Sequence, residues 1–249
     1  MCHHSPANFA AALFQKPFYV AFINIFRFFD NPLGILRRYV LGKGKYPAVC
    51  SVRTPVGRQE ITLYDFADMI TAVECFGKLD YKAPADISCV VDFGSNIGIS
   101  ALYFLTRNRN VRVYLYEPLP QNIERLKKNL QGYEDRYELH PVAVGLEAAR
   151  ATFGFESTGR YGGLNKENLP NSFDVEVRDS SEILDGVLLK HPRVNILKID
   201  VEGLEDALLE RLTPEQLSRI DSICAETDAG PAIDGFRQTR YGAIARYSK

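Results

Sequence analysis

The stretch that most constrains the fold is Cys89 to Gly98, which reads Cys-Val-Val-Asp-Phe-Gly-Ser-Asn-Ile-Gly. A short apolar run, Cys89 to Val91, ends in Asp92, and a glycine-punctuated turn, Gly94 to Gly98, follows it. From Ile99 to Thr106 the apolar residues Ile99, Leu102, Tyr103 and Leu105 recur at helical spacing. Strand, glycine turn and helix in that order open a nucleotide-binding α/β unit. Glycine lets backbone approach a ligand closely, and a helix start leaves N–H groups without intrahelical partners.

The alternation continues downstream. Val111 to Tyr116 reads as a buried strand ending in Glu117, Tyr137 to Leu139 as a third strand running toward His140, Val194 to Ile199 as a fourth ending in Asp200, and Asp221 to Ala225 as a fifth ending in Glu226. Helical patterns cover Pro120 to Leu130, Ser180 to Leu189 and Glu202 to Leu212. Ala151 to Phe155 and Asp174 to Val177 read as a short antiparallel addition. Phe236 to Thr239 and Ala243 to Tyr247 read as a closing hairpin. This pattern implies an α/β fold with a doubly wound, mainly parallel sheet. Upstream, Phe9 to Leu41 reads as helix, broken at Asn31-Pro32 and ended at Gly42. Tyr46 to Leu63 reads as a hairpin turning at Thr54-Pro55-Val56-Gly57, with Val49 and Val52 on one side and Ile61 and Leu63 on the other. Asp65 to Phe76 is again helical in pattern, and Lys78 to Asp86, with Pro84, reads as a linker. The expected organisation is a helical and hairpin N-terminal extension, residues 1–86, and a main domain, residues 87–249.

Ligands of such sheets bind beyond the carboxyl ends of the strands. Asp92, Glu117, Asp200 and Glu226 all fall there. Four carboxylates on one edge are costly unless a ligand, a cation or basic side chains sit among them. The turn spacing is G-x-x-x-G, with Asn96 where a dinucleotide fold would place its middle glycine, so a ligand with a carboxylate or amino tail and no phosphates fits better than a pyrophosphate. Asp92 is a candidate for an ammonium group, directly or through water, although a plain tight turn would also use these glycines. Glu117 is the ordinary partner for two ribose hydroxyls, or a carboxylate at the start of the next helix. Lys198 is a charge inside an apolar strand and must be paired. Alternation puts it on the face of Asp200, with Glu226 as a second partner on the neighbouring strand. Asp200 itself reads either as a substrate-side carboxylate or as the cap of the helix that follows.

Val91-Asp-Phe-Gly-Ser-Asn-Ile-Gly98, Tyr116-Glu-Pro118 and Leu197-Lys-Ile-Asp-Val-Glu-Gly203 together resemble the FkbM family of S-adenosylmethionine-dependent methyltransferases. Asp65…Glu74-Cys-Phe76…Tyr81 and Thr158-Gly-Arg-Tyr-Gly-Gly163 resemble it more loosely. The similarity runs from about Asp65 to Glu226. It implies a Rossmann-like methyltransferase fold, S-adenosylmethionine as cofactor, and usually O-methylation of a sugar, glycan or natural product. By the same resemblance Asp92, Gly94, Ser95, Asn96 and Gly98 lie at the methionine part of the cofactor. Glu117, followed by Pro118, lies at the ribose, and Val142 and Ala143 lie near the adenine. The region after Glu226 is short for a full methyltransferase sheet, and a missing or reduced last helix is expected there.

Methyl transfer to a hydroxyl benefits from a base held in line with the donor. Asp200 is the first candidate, His140 the second (its plainer reading is a surface histidine), and Lys198 completes the candidate catalytic set. Arg160 and Tyr161, in the glycine-rich loop Thr158 to Asn171, are candidates for a lid. Rival readings are a Mg²⁺-dependent enzyme using Asp200 and Glu226, a non-catalytic cofactor-binding protein, and a nicotinamide-dependent oxidoreductase. No dedicated metal site is expected. With 30 basic and 31 acidic residues the net charge is −1, so a nucleic-acid partner is not expected. The five cysteines, Cys2, Cys50, Cys75, Cys89 and Cys224, form no C-x-x-C pair. Together with the absence of a signal-peptide pattern, this points to a reducing, cytoplasmic setting. Pro17 to Phe29 is aromatic-rich but too short to span a bilayer. Packing on the domain or in a homodimer is preferred there over contact with a membrane surface.

Overall fold

The computed structural model describes residues 16–156, 158, 162–164, 166 and 169–249. Arg160 and Tyr161 lie outside the described residues. Contacts divide the chain into two compact units, meeting in sequence at Lys82 and Ala83.

The described residues of the first unit begin with helices α1 (Lys16–Phe28) and α2 (Pro32–Leu41). The Asn31 side chain accepts the Gly34 N–H, Pro32 occupies the first turn of α2, and Gly42 closes that helix in the left-handed conformation. Strands β1 (Ala48–Thr54) and β2 (Gly57–Leu63) form the expected hairpin. Cys50, Val52, Ile61 and Leu63 fill its buried face, whereas Val49 is turned outward and 61% exposed. Val49 is therefore not a partner of Val52, because adjacent strand residues point to opposite faces. Helix α3 (Phe66–Ala72) starts from an Asp65–Asp68 capping box. The helical pattern expected to Phe76 continues as a π-helical turn, Val73–Lys78.

In the second unit seven strands form one sheet: β3 (Cys89–Phe93), β4 (Arg112–Tyr116), β5 (Tyr137–His140), β10 (Val194–Ile199), β11 (Ile220–Glu226), β12 (Arg237–Tyr241) and β13 (Ile244–Ser248). Their order is β12-β13-β11-β10-β3-β4-β5. The five from β11 to β5 are parallel, and β13 joins β11 antiparallel. Helices α4 (Ile99–Leu105), α5 (Pro120–Asn129), α6 (Ser180–Lys190), α7 (Glu205–Glu210) and α8 (Pro214–Arg219) connect the strands. This is a Rossmann-like α/β sheet. The C-terminal region completes it with a hairpin, and residues 227–236, which lead into β12, contain no helix. The short antiparallel addition is larger than expected. Strands β6 (Ala143–Gly145), β7 (Ala149–Phe155), β8 (Gly162–Leu164) and β9 (Asn171–Asp179) make a second sheet, ordered β6-β9-β7-β8.

All five residues of β3 are buried, as a central parallel strand requires. Val91, Phe93, Tyr114, Tyr116, Leu197 and Ile199 form one face and pack on α6 and α7 residues such as Leu184, Val187, Leu208 and Leu209. Asp92 and Lys198 are in register on the opposite face. Beyond the strand ends, Gly94 has φ +79°, and a Cβ there would lie 1.7 Å from the Asp200 carbonyl oxygen. The glycine is thus required by the chain's own packing. Gly94→Ala is expected to cost roughly 2–4 kcal/mol in urea unfolding, against about 1 kcal/mol for Gly242→Ala. Gly242 also has positive φ but open space around it, so equal losses would contradict the collision.

Candidate active site

The glycine turn is held from below. Gly94 and Ser95 donate their N–H groups to the Tyr116 carbonyl. The Ser95 hydroxyl donates to the Asp92 carbonyl at 2.9 Å and accepts the Tyr116 N–H at 3.2 Å. Asn96 has φ +47°, and its side chain accepts the Ile97 N–H. Gly98 fits against Leu126 and Leu130, which a Cβ would meet at 3.0 and 3.3 Å. Ser95 and Gly98 are buried, and only Gly94 and Asn96 of the residues from 94 to 98 are partly open.

Lys198 is the centre of the strand-end cluster. Its Nζ lies 3.0 Å from Asp92 Oδ1 and 3.2 Å from Asp200 Oδ2, and donates to the Gly94 carbonyl at 2.9 Å. The expected pairing with Asp200 is present, and Asp92 is the partner that strand alternation did not suggest. The Asp92 side chain is fully buried and also accepts the Ser100 hydroxyl at 2.7 Å. Burial raises its pKa, against the opposing pull of Lys198. The ammonium that Asp92 holds is therefore the chain's own. Lys198 is held protonated by Asp200 and Asp92 in spite of burial, with its pKa raised. Of the three, the Asp200 side chain alone is open, at 25%.

Asp200 does not cap the next helix. Residues 201–203 form a bend in which Glu202 has φ +64° and Gly203 φ +121°. The Glu205 carboxylate accepts the N–H groups of Val201 and Gly203, both at 2.9 Å. The helix expected from Glu202 accordingly starts at Glu205, with Leu204 at its cap position.

Glu117 is 5% exposed. It accepts the Asn96 N–H at 2.8 Å, the Leu119 N–H at 3.0 Å and the Asn122 amide at 3.2 Å. Burial nevertheless outweighs these donors and pushes its pKa up to about 7. Pro118 lines a groove of about 400 Å³ with Pro120, Pro141 and Phe173. Val142 and Ala143 are buried, and Ala143 begins β6.

His140 is not brought to Asp200. It pairs in register with Tyr116 and so lies on the sheet face opposite Lys198. It is also three strands from β10, roughly 14 Å at ordinary strand spacing. Its ring stacks on Tyr116 at 4.7 Å, Nε2 lies 3.3 Å from Glu138, and burial lowers its pKa. Glu226 is exposed at the end of β11. Among the described residues no group of three or more His, Cys, Asp or Glu is arranged to hold a metal ion. Cys50, Cys75, Cys89 and Cys224 are buried free thiols. Sequence reasoning missed Ser100, Asn122 and Glu205. Each is a polar residue on a helix turn facing inward, and only the fold reveals which way that turn faces.

Removing one member of a buried ion cluster leaves an uncompensated charge, which typically costs 3–5 kcal/mol. Lys198→Met is expected to lose about that much in urea unfolding, and Asp92→Asn/Lys198→Met to lose less than the two single variants summed. Additive losses would mean that the pair is not coupled.

The chain matches the methyltransferase FkbM domain over residues 92–237. It is 27% identical over 162 residues to "Methyltransferase 1" of Beauveria bassiana, a match covering 57% of this chain and 65% of that protein. It is 29% identical over 142 residues to "Hexuronic acid methyltransferase AglP" of Haloferax volcanii, covering 56% and 55%. The chain thus spans less than two thirds of the length of these curated relatives. Among solved structures, a methyltransferase FkbM from Methylobacillus flagellatus KT aligns with a TM-score of 0.40 at 14% identity, covering 74% of this chain and 53% of the other. With the domain matching more than half of its length, the chain belongs to the FkbM methyltransferase family.

Proposed function

We infer that this chain is an S-adenosylmethionine-dependent methyltransferase acting on a hydroxyl of a sugar or related small molecule. The observation that carries this reading is a pair of unlike carboxylates at the ends of β4 and β10, the strands on either side of β3, Glu117 buried and Asp200 open. The family brings S-adenosylmethionine as its cofactor, which when bound supplies an electrophilic methyl group. Glu117 suits the ribose end of that cofactor. Three N–H donors do not fully compensate its burial, and two hydroxyls are the donors its ionised form still lacks. Gly94 and Asn96 are the partly open residues of the turn and so the ones left for the amino-acid end, while Asp92, Ser95 and Gly98 support the turn from beneath.

On the acceptor side, Asp200 would take the hydroxyl proton as the acceptor oxygen bonds to the methyl carbon. Lys198 acts through Asp200, holding its carboxylate at the strand end, and is a positioning residue. A sugar acceptor is favoured by the relative named for hexuronic acid.

Two outcomes are expected. Asp200→Asn should lower turnover about 10²-fold or more while S-adenosylhomocysteine still binds; an unchanged rate on a competent acceptor would remove Asp200 as the base. Glu117 accepts ribose hydroxyls best when ionised, and its pKa is about 7. Affinity for S-adenosylhomocysteine by titration calorimetry should therefore fall about tenfold from pH 8 to pH 6, and Glu117→Gln should flatten that dependence. Equal affinity at both pH values would contradict the assignment.

A further inference from the structure

Helix α1 has one buried face and one exposed face. Ala21, Asn24 and Ile25 are buried, and the Asn24 amide donates to the Gly77 carbonyl at 2.8 Å. On the other side Tyr19, Phe22, Ile23 and Phe26 follow one another at i, i+3, i+4 and i+7. They form a single stripe whose members are 55%, 46%, 64% and 45% exposed. Four large apolar side chains in one exposed row mark a contact surface.

The rim of the stripe is cationic. Arg27 is exposed beside it, with its guanidinium 5.2 Å from the Phe28 ring. Just after the helix, Asp30 is shared by two guanidiniums, Arg58 at 2.8 Å and Arg53 at 3.4 Å, which leaves a local positive surplus. Arg53 also donates to the Phe26 carbonyl at 3.4 Å. The charge separates along the whole chain. The first 82 residues carry ten Lys and Arg against six Asp and Glu, and residues 83–249 carry 20 against 25.

We propose that α1 docks this chain on an anionic lipid bilayer, lying in the interface with Tyr19, Phe22, Ile23 and Phe26 in the acyl boundary and Arg27, Arg53 and Arg58 among acidic headgroups. An aromatic stripe edged by arginine is the chemistry that interfacial helices use. The helix has 13 residues, about 20 Å against a hydrocarbon core of about 30 Å, so it lies on the membrane rather than crossing it. No helix among the described residues is long and apolar enough to span. A second copy of the chain is a poorer occupant. A two-fold contact sets the same patch against itself, and here that would oppose two cationic rims.

The test is sedimentation of the full chain with phosphatidylcholine vesicles, with and without phosphatidylserine. Binding is expected to the phosphatidylserine vesicles and to weaken as salt rises. Phe22→Ser/Ile23→Ser should reduce it about tenfold or more, and Arg27→Glu should reduce it on anionic vesicles. Should the double variant melt early, Ile23→Ser alone and Arg27→Glu decide the matter, since both sites are exposed. Failure to bind phosphatidylserine vesicles overturns the proposal, and so does binding that these variants leave unchanged. Loss of a dimer in the double variant, with vesicle binding intact, would assign the stripe to a subunit interface instead.

Discussion

The strand-end edge of this sheet depends on one buried ammonium. Lys198 reaches Asp92 on the neighbouring strand, Asp200 at the end of its own, and the carbonyl of Gly94 in the turn between. These contacts fasten β3, β10 and the glycine turn at one point. A buried charge is tolerated only when its partners have good geometry, so the cluster fixes that geometry in return. The Asp200 carbonyl then fills the space that a side chain at position 94 would need. Glycine, lysine and the two aspartates are in this sense one structural decision.

The crowding of carboxylates at the strand ends is resolved mostly from within. Asp92 is neutralised by Lys198, and Asp200 shares that cation while staying open to solvent. Glu117 is different. It is held by N–H groups, and its pKa stays near neutrality because burial dominates. The edge therefore presents one carboxylate fixed by a cation and one whose ionisation is incompletely compensated. In the function proposed above, the first accepts the substrate proton and the second holds a ligand that brings hydroxyl donors.

The sheet and its chemistry were legible where the signal is local. Apolar runs ending in acids located β3, β4, β10 and β11, and the closing hairpin followed from alternation at 236–247. Asn31-Pro32 and Gly42 gave the limits of α2 because caps and helix breakers act within a few residues. Tertiary features were less readable. Glu202 looks like a good helix residue, but the Glu205 carboxylate holds the preceding bend and delays the helix. His140 ends the strand next to the one that Glu117 follows, yet pleating turns it to the face opposite Lys198. The second sheet is hard to read in the sequence because β6 and β8 have three residues each, too few to show a period of two. Val49 and Val52 differ in burial for the same reason that strands alternate, which their shared identity hides.

The central claim is that the glycine turn and Glu117 seat S-adenosylmethionine while Asp200 faces the acceptor. A crystal structure of the chain with S-adenosylhomocysteine tests it most directly. The expected complex has the ribose hydroxyls within hydrogen-bonding distance of Glu117, the amino-acid end against Gly94 and Asn96, and the sulfur facing the open side of Asp200. Ligand bound with its ribose away from Glu117, or with Asp200 shielded from the sulfur, would contradict the account.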